Sequence, residues 1–345
     1  MSIYSKFKLN YFNRLVLIVN IVVLLVAYCV YLNQVFTPSE IPYLNFISIG
    51  FPIIFVILLL FLAYWLFFSW RHFLVILVLT AGLIYPIYLS YPLFQFNKVK
   101  DTTSDLSVLT YNVHGFKEEG TKELLIDNKA DIMLLQEARE GQQKRLKNND
   151  FKDYYVEFYD LLTFYSKYPI IETNEIKVED TELNGKAAYA DIDLGNDTIR
   201  LINVYLEPMY IDKALVKDII ESDNTQQAEI SSRKVELKLV KGMQKHQKQL
   251  DAIKPFISKS RYPVILGTDL NSTPASYEYQ YLNDYLYDSF IAVGKGNATT
   301  FHGFKFPIRI DYLFHSKHFK PVEGKVIRKK FSDHYPVSVK YKISE

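Results

Sequence analysis

Three apolar runs without a single charged side chain, Leu15–Leu32, Phe46–Phe68 and Phe73–Tyr91, decide what the first third of this chain can fold into. Each is close to the ~20 residues that carry a helix across a bilayer, and a helix that is apolar all round needs protein or lipid on every side. Asn20, Pro52 and Pro86 interrupt the runs mildly, which spanning helices tolerate. The first run follows Lys6, Lys8 and Arg14, so it also has the outline of a signal peptide. Two further runs follow it, and no small-x-small cleavage pattern lies near residue 33. Residues 1–100 are therefore expected to be an uncleaved anchor of three transmembrane helices, at about 15–32, 46–68 and 73–91.

Basic residues orient such an anchor. Lys6, Lys8 and Arg14 favour a cytoplasmic N-terminus, the segment Asn33–Tyr43 has no Lys or Arg, and Arg71 sits between the second and third runs. Three crossings then put residues 101–345 outside the cytoplasm, although Lys98 and Lys100 weigh the other way. Of the chain's 40 Lys/Arg and 38 Asp/Glu, six basic residues and one acid fall in the first 100, leaving 34 basic and 37 acidic residues beyond them. That slightly acidic balance gives no support to a tight binder of long nucleic acid, which usually presents a positive face. The sole cysteine, Cys29, lies in an apolar run, so neither a disulfide nor a cysteine metal site can form within one chain.

Residues 101–345 show no repeat, no low-complexity tract and no Pro/Gly/Ser linker. Alternation and β-branched content predict strands at 105–113, 132–136, 154–159, 162–166, 187–194, 198–205, 264–267, 309–315 and 337–341. Helices are expected at 121–128, across 214–257 with a polar break near 222–225, and at 276–285. Strands in adjacent runs with helices between them fit an α/β (α+β) fold, a two-sheet β-sandwich flanked by helices in four layers, better than a doubly wound parallel sheet.

Five of these segments end alike: LTYNVH at 109–114, IMLLQE at 132–137, VILGTDLN at 264–271, RIDY at 309–312 and SDH at 332–334. Each couples an apolar run to Asn, Glu, Asp or His, and buried polar groups demand partners. Strand ends converging at one sheet rim would supply them. Asp269 and Asn271 are two apart on an extended segment and share a face, although the same residues also fit an ordinary Asx turn.

In this order the five segments, with SKYPI at 166–170, resemble the endonuclease/exonuclease/phosphatase superfamily of Mg²⁺-dependent phosphoesterases over about Leu106 to Lys342. The resemblance implies that Glu137 binds the metal with Asn112 beside it, and that Asp333 faces a metal. It implies that Asp269 activates the nucleophile, that Asn271 contacts phosphate, and that His334 lies near the scissile phosphate with Asp311 holding its imidazole. Taken alone, Glu137 reads equally as a strand-end acid, Asp311 as an ion-pair partner of Arg309, and His334 as a surface histidine; His114, His302 and His315 read as bystanders. Two positions depart from the usual pattern: Thr268 stands where glycine commonly precedes the Asp, and Tyr205 stands where many members have histidine, although the abasic-site endonuclease branch has tyrosine there too. A phenol donates a hydrogen bond but is a poor proton shuttle near neutral pH, and Tyr205 also suits a strand core.

The expected cofactor is Mg²⁺, with Mn²⁺ as the alternative; an oxygen-rich site suits either. The expected activity is hydrolysis of a phosphodiester or phosphomonoester in a lipid head group, small phosphoester or nucleic acid. The competing expectation is a catalytically inactive binding or scaffold module on a membrane anchor. The partners expected are the phosphoester substrate and the bilayer; no protein partner is inferred.

Overall fold

The structure, a computed structural model, describes residues 9–92, 103–179, 183–209, 219, 225–303 and 307–344. Two six-stranded mixed sheets face each other. The first has the order β11-β12-β1-β2-β4-β3, built around the parallel pair β1 (Leu106–Asn112) and β2 (Ile132–Gln136), with β3 (Tyr155–Tyr159), β4 (Leu162–Ser166), β11 (Phe319–Val326) and β12 (Val337–Ile343). The second has the order β5-β6-β7-β8-β10-β9, built around the parallel pair β7 (Thr198–Tyr205) and β8 (Val264–Asp269), with β5 (Ile170–Glu175), β6 (Lys186–Asp193), β9 (Tyr287–Asp288) and β10 (Asp311–His315).

The central strands are apolar at consecutive positions because both of their faces are covered. On β1, Val108 enters the layer between the sheets, while Leu109 and Tyr111 pack outward against α5 (Thr121–Asp127) and α6 (Glu140–Asn149). On the second sheet, Ile202, Val204 and Leu266 pack outward against Leu250, Ile253 and Ile257 of α7 (Thr225–Ser258) and Leu282 of α8 (Tyr277–Asn283). Helix, sheet, sheet and helix make the expected four layers. The sheets approach closely at Gly267, where a Cβ would lie 2.6 Å from the Leu134 side chain. The glycine required on this strand thus precedes Thr268, whose side chain is fully buried.

The central strands lie where alternation predicts them, within two residues. Edges were harder to read. β5 and β11 are edge strands with half-polar sequences, and β11 carries Pro321 at a register shift, a position where a missing N–H does no harm. The first part of the predicted helix across 214–257 lies outside the described residues, and α7 begins at Thr225 with Pro255 in its last turn.

In the N-terminal third, α1 (Tyr11–Tyr28) continues as a 3₁₀ turn to Gln34, and α2 (Leu44–Phe68) follows it. These are two helices long and apolar enough to span a membrane, and only 22% and 17% of their most apolar windows are buried. Helices so apolar and so little covered need an apolar surrounding. The third expected span is corrected: it is not one helix but two, α3 (Trp70–Ala81) and α4 (Ile84–Ser90), bent by 56°. Pro86 has no N–H to return to the carbonyl of Gly82, and its ring crowds that carbonyl, so the helix breaks there.

The helices are clamped to the sandwich by buried polar side chains. Ser48 Oγ and Asn33 Nδ2 donate to the Ala275 carbonyl at 2.7 and 3.0 Å, and Thr273 Oγ1 donates to the Ser48 carbonyl at 3.1 Å. Asn45 Nδ2 donates to Glu278 at 2.9 Å, and Glu278 in turn meets His246 Nδ1 at 2.8 Å. Burial alone would raise the Glu278 carboxyl, but His246 outweighs it and holds Glu278 below the usual carboxylate range. At the other end of the helices, Tyr64 Oη donates to Asn13 at 2.6 Å, which brings Arg14 and Arg71 to the end far from the sandwich.

Candidate active site

Every one of the five polar strand ends reaches the same rim. The backbone there is bent sharply. His114, Phe116, Glu137 and Asn271 all have positive φ, at 45°, 54°, 51° and 47°. Non-glycine residues seldom adopt that region, and such strain gathers where a fold must aim side chains.

Asn112, at the end of β1, is the connector. Its Nδ2 donates to Glu137 Oε1 at 2.9 Å and to Asp269 Oδ2 at 2.8 Å, while its Oδ1 accepts from the His114 amide at 2.9 Å. Ser332 Oγ donates to the Asn112 carbonyl at 2.9 Å, tying the last motif to the first. Tyr205 Oη also donates to Glu137 Oε1, at 2.9 Å.

His334 lies between two buried carboxylates. Its Nδ1 is 2.9 Å from Asp311 Oδ2, and its Nε2 is 3.8 Å from Asp269 Oδ2. Ligand atoms of these three residues all lie within 4.8 Å of one another. Arg309 does not pair with Asp311. It turns to Asp288 at 2.7 Å and to the Leu89 carbonyl at 2.9 Å, which leaves Asp311 to the histidine. Thr300 Oγ1 accepts from the amide of Asp311 at 3.0 Å, and the Phe301 ring covers the His334 ring at 4.8 Å. Burial opposes an imidazolium at His334, but Asp311 and then Asp269 outweigh it and hold the ring well above the ordinary histidine range. Burial drives the Asp269 carboxyl upward, against the pull of His334.

Asn271 donates through Nδ2 to the Leu206 carbonyl at 2.9 Å, and its second N–H is still available to a ligand. Its amide donates to Asp269 Oδ1 at 3.0 Å, so the Asx turn is present as well as the convergence. Asp333 is 32% exposed and lies 3.6 Å from His114 Nδ1 and 3.9 Å from His334 Nε2. It stands beside both histidines. His114, a bystander by sequence, therefore borders the rim, while His315 is buried against Ser289 Oγ at 2.8 Å and takes no part. The supporting layer escaped the sequence reading: Gln136 Nε2 donates to Asn203 Oδ1 at 2.7 Å, and Asn203 Nδ2 donates to the carbonyls of Leu135 and Thr163 at 3.1 Å, stitching one sheet to the other beneath the site.

Among the described residues no Lys or Arg lies within ion-pair distance of Glu137, Asp269 or Asp311. Three acids are thus met by one histidine and neutral donors. A donor set with this surplus of oxygen and negative charge fits a hard divalent cation.

Against known proteins, residues 109–334, which hold every element of this rim, match the Endonuclease/Exonuclease/phosphatase family. The chain belongs to that family. Its members are metal-dependent phosphoesterases and nucleases. Residues 13–91, the apolar helices, match a separate domain of unknown function. No curated protein matches the chain in sequence. Among solved structures, it is similar to a Danio rerio TDP2 humanized by 14 mutations, with a TM-score of 0.51 and 16% identity over 69% of this chain and 98% of that one. An endonuclease/exonuclease/phosphatase family protein from Leptotrichia buccalis gives a TM-score of 0.51 and 16% identity over 69% and 100%. A mannosyl-6-phosphatase from Bacteroides thetaiotaomicron gives 0.50 and 16% over 69% and 99%. At such identity the likeness is one of fold, and the family's range of chemistry leaves substrate to be argued from the site.

Tyr205→Phe tests the departure from the commoner histidine. Losing a donor to a charged acceptor is worth about 1.5–3 kcal/mol, so kcat/KM is expected to fall roughly tenfold to a hundredfold, with the fold unchanged by circular dichroism. Wild-type kinetics would reduce Tyr205 to a packing residue.

Proposed function

We propose that this family member is a membrane-anchored, divalent-metal-dependent phosphoesterase, with residues 1–100 as anchor and 101–345 as catalytic domain. The observation that carries the reading is the convergence of Asp269 and Asp311 on His334, at 3.8 and 2.9 Å, inside a rim otherwise rich in carboxylate and amide oxygen. An intact rim of this kind speaks against an inactive scaffold.

A phosphoester resists hydrolysis because its oxygens repel the nucleophile and its leaving alkoxide is a poor one. In our reading Glu137, with Asn112 holding its carboxylate, binds Mg²⁺ or Mn²⁺. Such an ion supplies charge neutralisation at the phosphate oxygens. Asp269, whose carboxyl burial has made more basic than usual, accepts the proton of the attacking water. Protonated His334, oriented through Nδ1 by Asp311, donates from Nε2 toward the phosphate and its leaving oxygen. Asn271 donates its second N–H to a phosphate oxygen, and Tyr205 steadies Glu137. The experiment is hydrolysis of bis-p-nitrophenyl phosphate by the full-length chain with Mg²⁺ and then with excess EDTA. Activity that EDTA abolishes and Mg²⁺ restores is expected. No turnover with either Mg²⁺ or Mn²⁺ would leave the binding-module alternative.

We further propose that the anchor crosses the bilayer three times, the bent α3–α4 pair being the third crossing, with the catalytic domain outside the cytoplasm. Support comes from Arg14 and Arg71 at the end of the helices remote from the sandwich, and from the clamp at the other end. With Cys29 replaced by Ala, a cysteine at exposed Lys144 is expected to react with an impermeant maleimide in intact cells. Labelling only after lysis would reverse the topology.

A further inference from the structure

The loop that carries Asn271 rests on two supports. Asn271 has a φ of 47°, a conformation that a non-glycine residue keeps only where its surroundings over-determine it. On the sandwich side, the Leu270 amide donates to the Ile310 carbonyl at 2.8 Å, and Tyr312 Oη donates to the Ser272 carbonyl at 2.9 Å. From Thr273 to Glu278 the N-terminal helices supply the second support. Thr273 Oγ1 and the Ala275 carbonyl both bond to Ser48. The Tyr277 amide donates to Asn45 Oδ1 at 2.9 Å, and Asn45 Nδ2 donates to Glu278 Oε2 at 2.9 Å.

Asn45 also heads a chain of contacts that ends on Asn271. Glu278 Oε1 lies 2.8 Å from His246 Nδ1, and His246 Nε2 donates to the Glu207 carbonyl at 2.7 Å. One peptide back, the Leu206 carbonyl accepts from Asn271 Nδ2 at 2.9 Å. Asn45, Ser48, His246 and Glu278 are all buried. A simple tether has no use for such groups. Buried polar side chains cost stability unless they are paired, and leucine at 45 and 48 would continue the apolar character of α2. What hydrogen bonds add is direction: they fix the shape of a loop, whereas apolar burial is non-directional. The loop fixed in this way is the one that aims Asn271.

We propose, resting on the phosphoesterase reading above, that Asn45 and Ser48 of α2 are positioning residues for the reaction. They hold the loop 271–278 so that the second N–H of Asn271 is aimed at the substrate phosphate. The N-terminal helices then complete the active site as well as tether it. Neither residue touches substrate; both act through Asn271. The metal side of the rim is independent of them, because Asn112 and Glu137 end strands of the other sheet.

The test is a double-mutant cycle on the full-length chain, with bis-p-nitrophenyl phosphate as a soluble substrate and Mg²⁺ varied. Asn45→Ala is expected to lower kcat/KM by about tenfold to 10²-fold, the scale of a misplaced contact group. In an Asn271→Ala background the same change should cost no more than about twofold, since a residue that acts through Asn271 has nothing left to position. The Mg²⁺ concentration for half-maximal activity should stay within about twofold of wild type throughout, because Glu137 is untouched. Ser48→Ala, which removes a single hydroxyl and leaves the Glu278 contacts in place, should show the same pattern and serves if Asn45→Ala does not fold. Wild-type kinetics in Asn45→Ala and Ser48→Ala would overturn the inference. So would losses that multiply with that of Asn271→Ala, which would make these residues supports of the fold alone. In both cases the phosphoesterase reading stands. A wild-type chain that turns over no diester with Mg²⁺ or Mn²⁺ overturns that reading and this inference with it.

Discussion

Replacing His334 by Ala is expected to lower kcat on bis-p-nitrophenyl phosphate by on the order of 10²–10⁴-fold, the range that a positioned acid or base supplies. Asp311→Ala should cause a loss of the same kind, and the double variant should be little worse than His334→Ala alone. The basis is a single contact: Asp311 Oδ2 lies 2.9 Å from Nδ1, and Arg309 is engaged elsewhere, so the function assigned to Asp311 passes through the ring it holds. Groups that act as a unit lose activity non-additively. Losses that multiply in the double variant would show that Asp311 has a separate role, and Asp311→Asn, which keeps the shape but withdraws the charge, should also shift the alkaline limb of the pH–rate profile. The direction follows from the pairing. Asp311 raises the pKa of His334, so removing its charge lets the imidazolium deprotonate at lower pH, and activity that needs the protonated ring should fade at lower pH than in the wild type.

Glu137→Gln is expected to raise the Mg²⁺ concentration for half-maximal activity and to reduce activity at fixed low Mg²⁺ by on the order of 10²-fold or more, since lesser changes around a metal already cost 10–100-fold. Glutamine keeps the volume and can still accept from Asn112 and Tyr205, so thermal stability should change little. Isothermal titration with Mg²⁺ and the Mg²⁺ dependence of turnover check the two halves separately. An unchanged Mg²⁺ requirement would shift the metal to the Asp269–Asp311–His334 group, whose ligand atoms also lie close enough to share an ion.

How much of this was legible beforehand depended on distance along the chain. A strand that is apolar at consecutive positions and ends in Glu137 or Asp269 announces both its burial and its polar end, and the rim follows from five such ends. Tyr205 did not announce its partner. Whether its phenol meets phosphate or a carboxylate is decided by β7 facing β2 across the two sheets, a relation that local pattern does not encode. Arg309 likewise reads as a neighbour of Asp311, but Asp288, 21 residues away, takes it because β9 runs beside β10. Asn33, Asn45 and Ser48 look like tolerated polar residues at span ends, and only the fold shows that their partners lie more than 220 residues further on. The break at Gly82 was visible in composition as Pro86, although tolerance of proline in spanning helices hid its consequence.

On the anchored reading proposed above, the clamp around Ala275 and Glu278 also sets the dimensionality in which this protein works. A domain on a slack tether sweeps a hemisphere and meets solutes by bulk concentration. One bonded rigidly to its own spans meets only what drifts past at a fixed height, so encounter is governed by areal density and lateral diffusion. On that reading, a phosphoester carried in mixed micelles should be turned over at a rate that follows its mole fraction at the surface, whereas a water-soluble phosphoester should respond only to its bulk concentration.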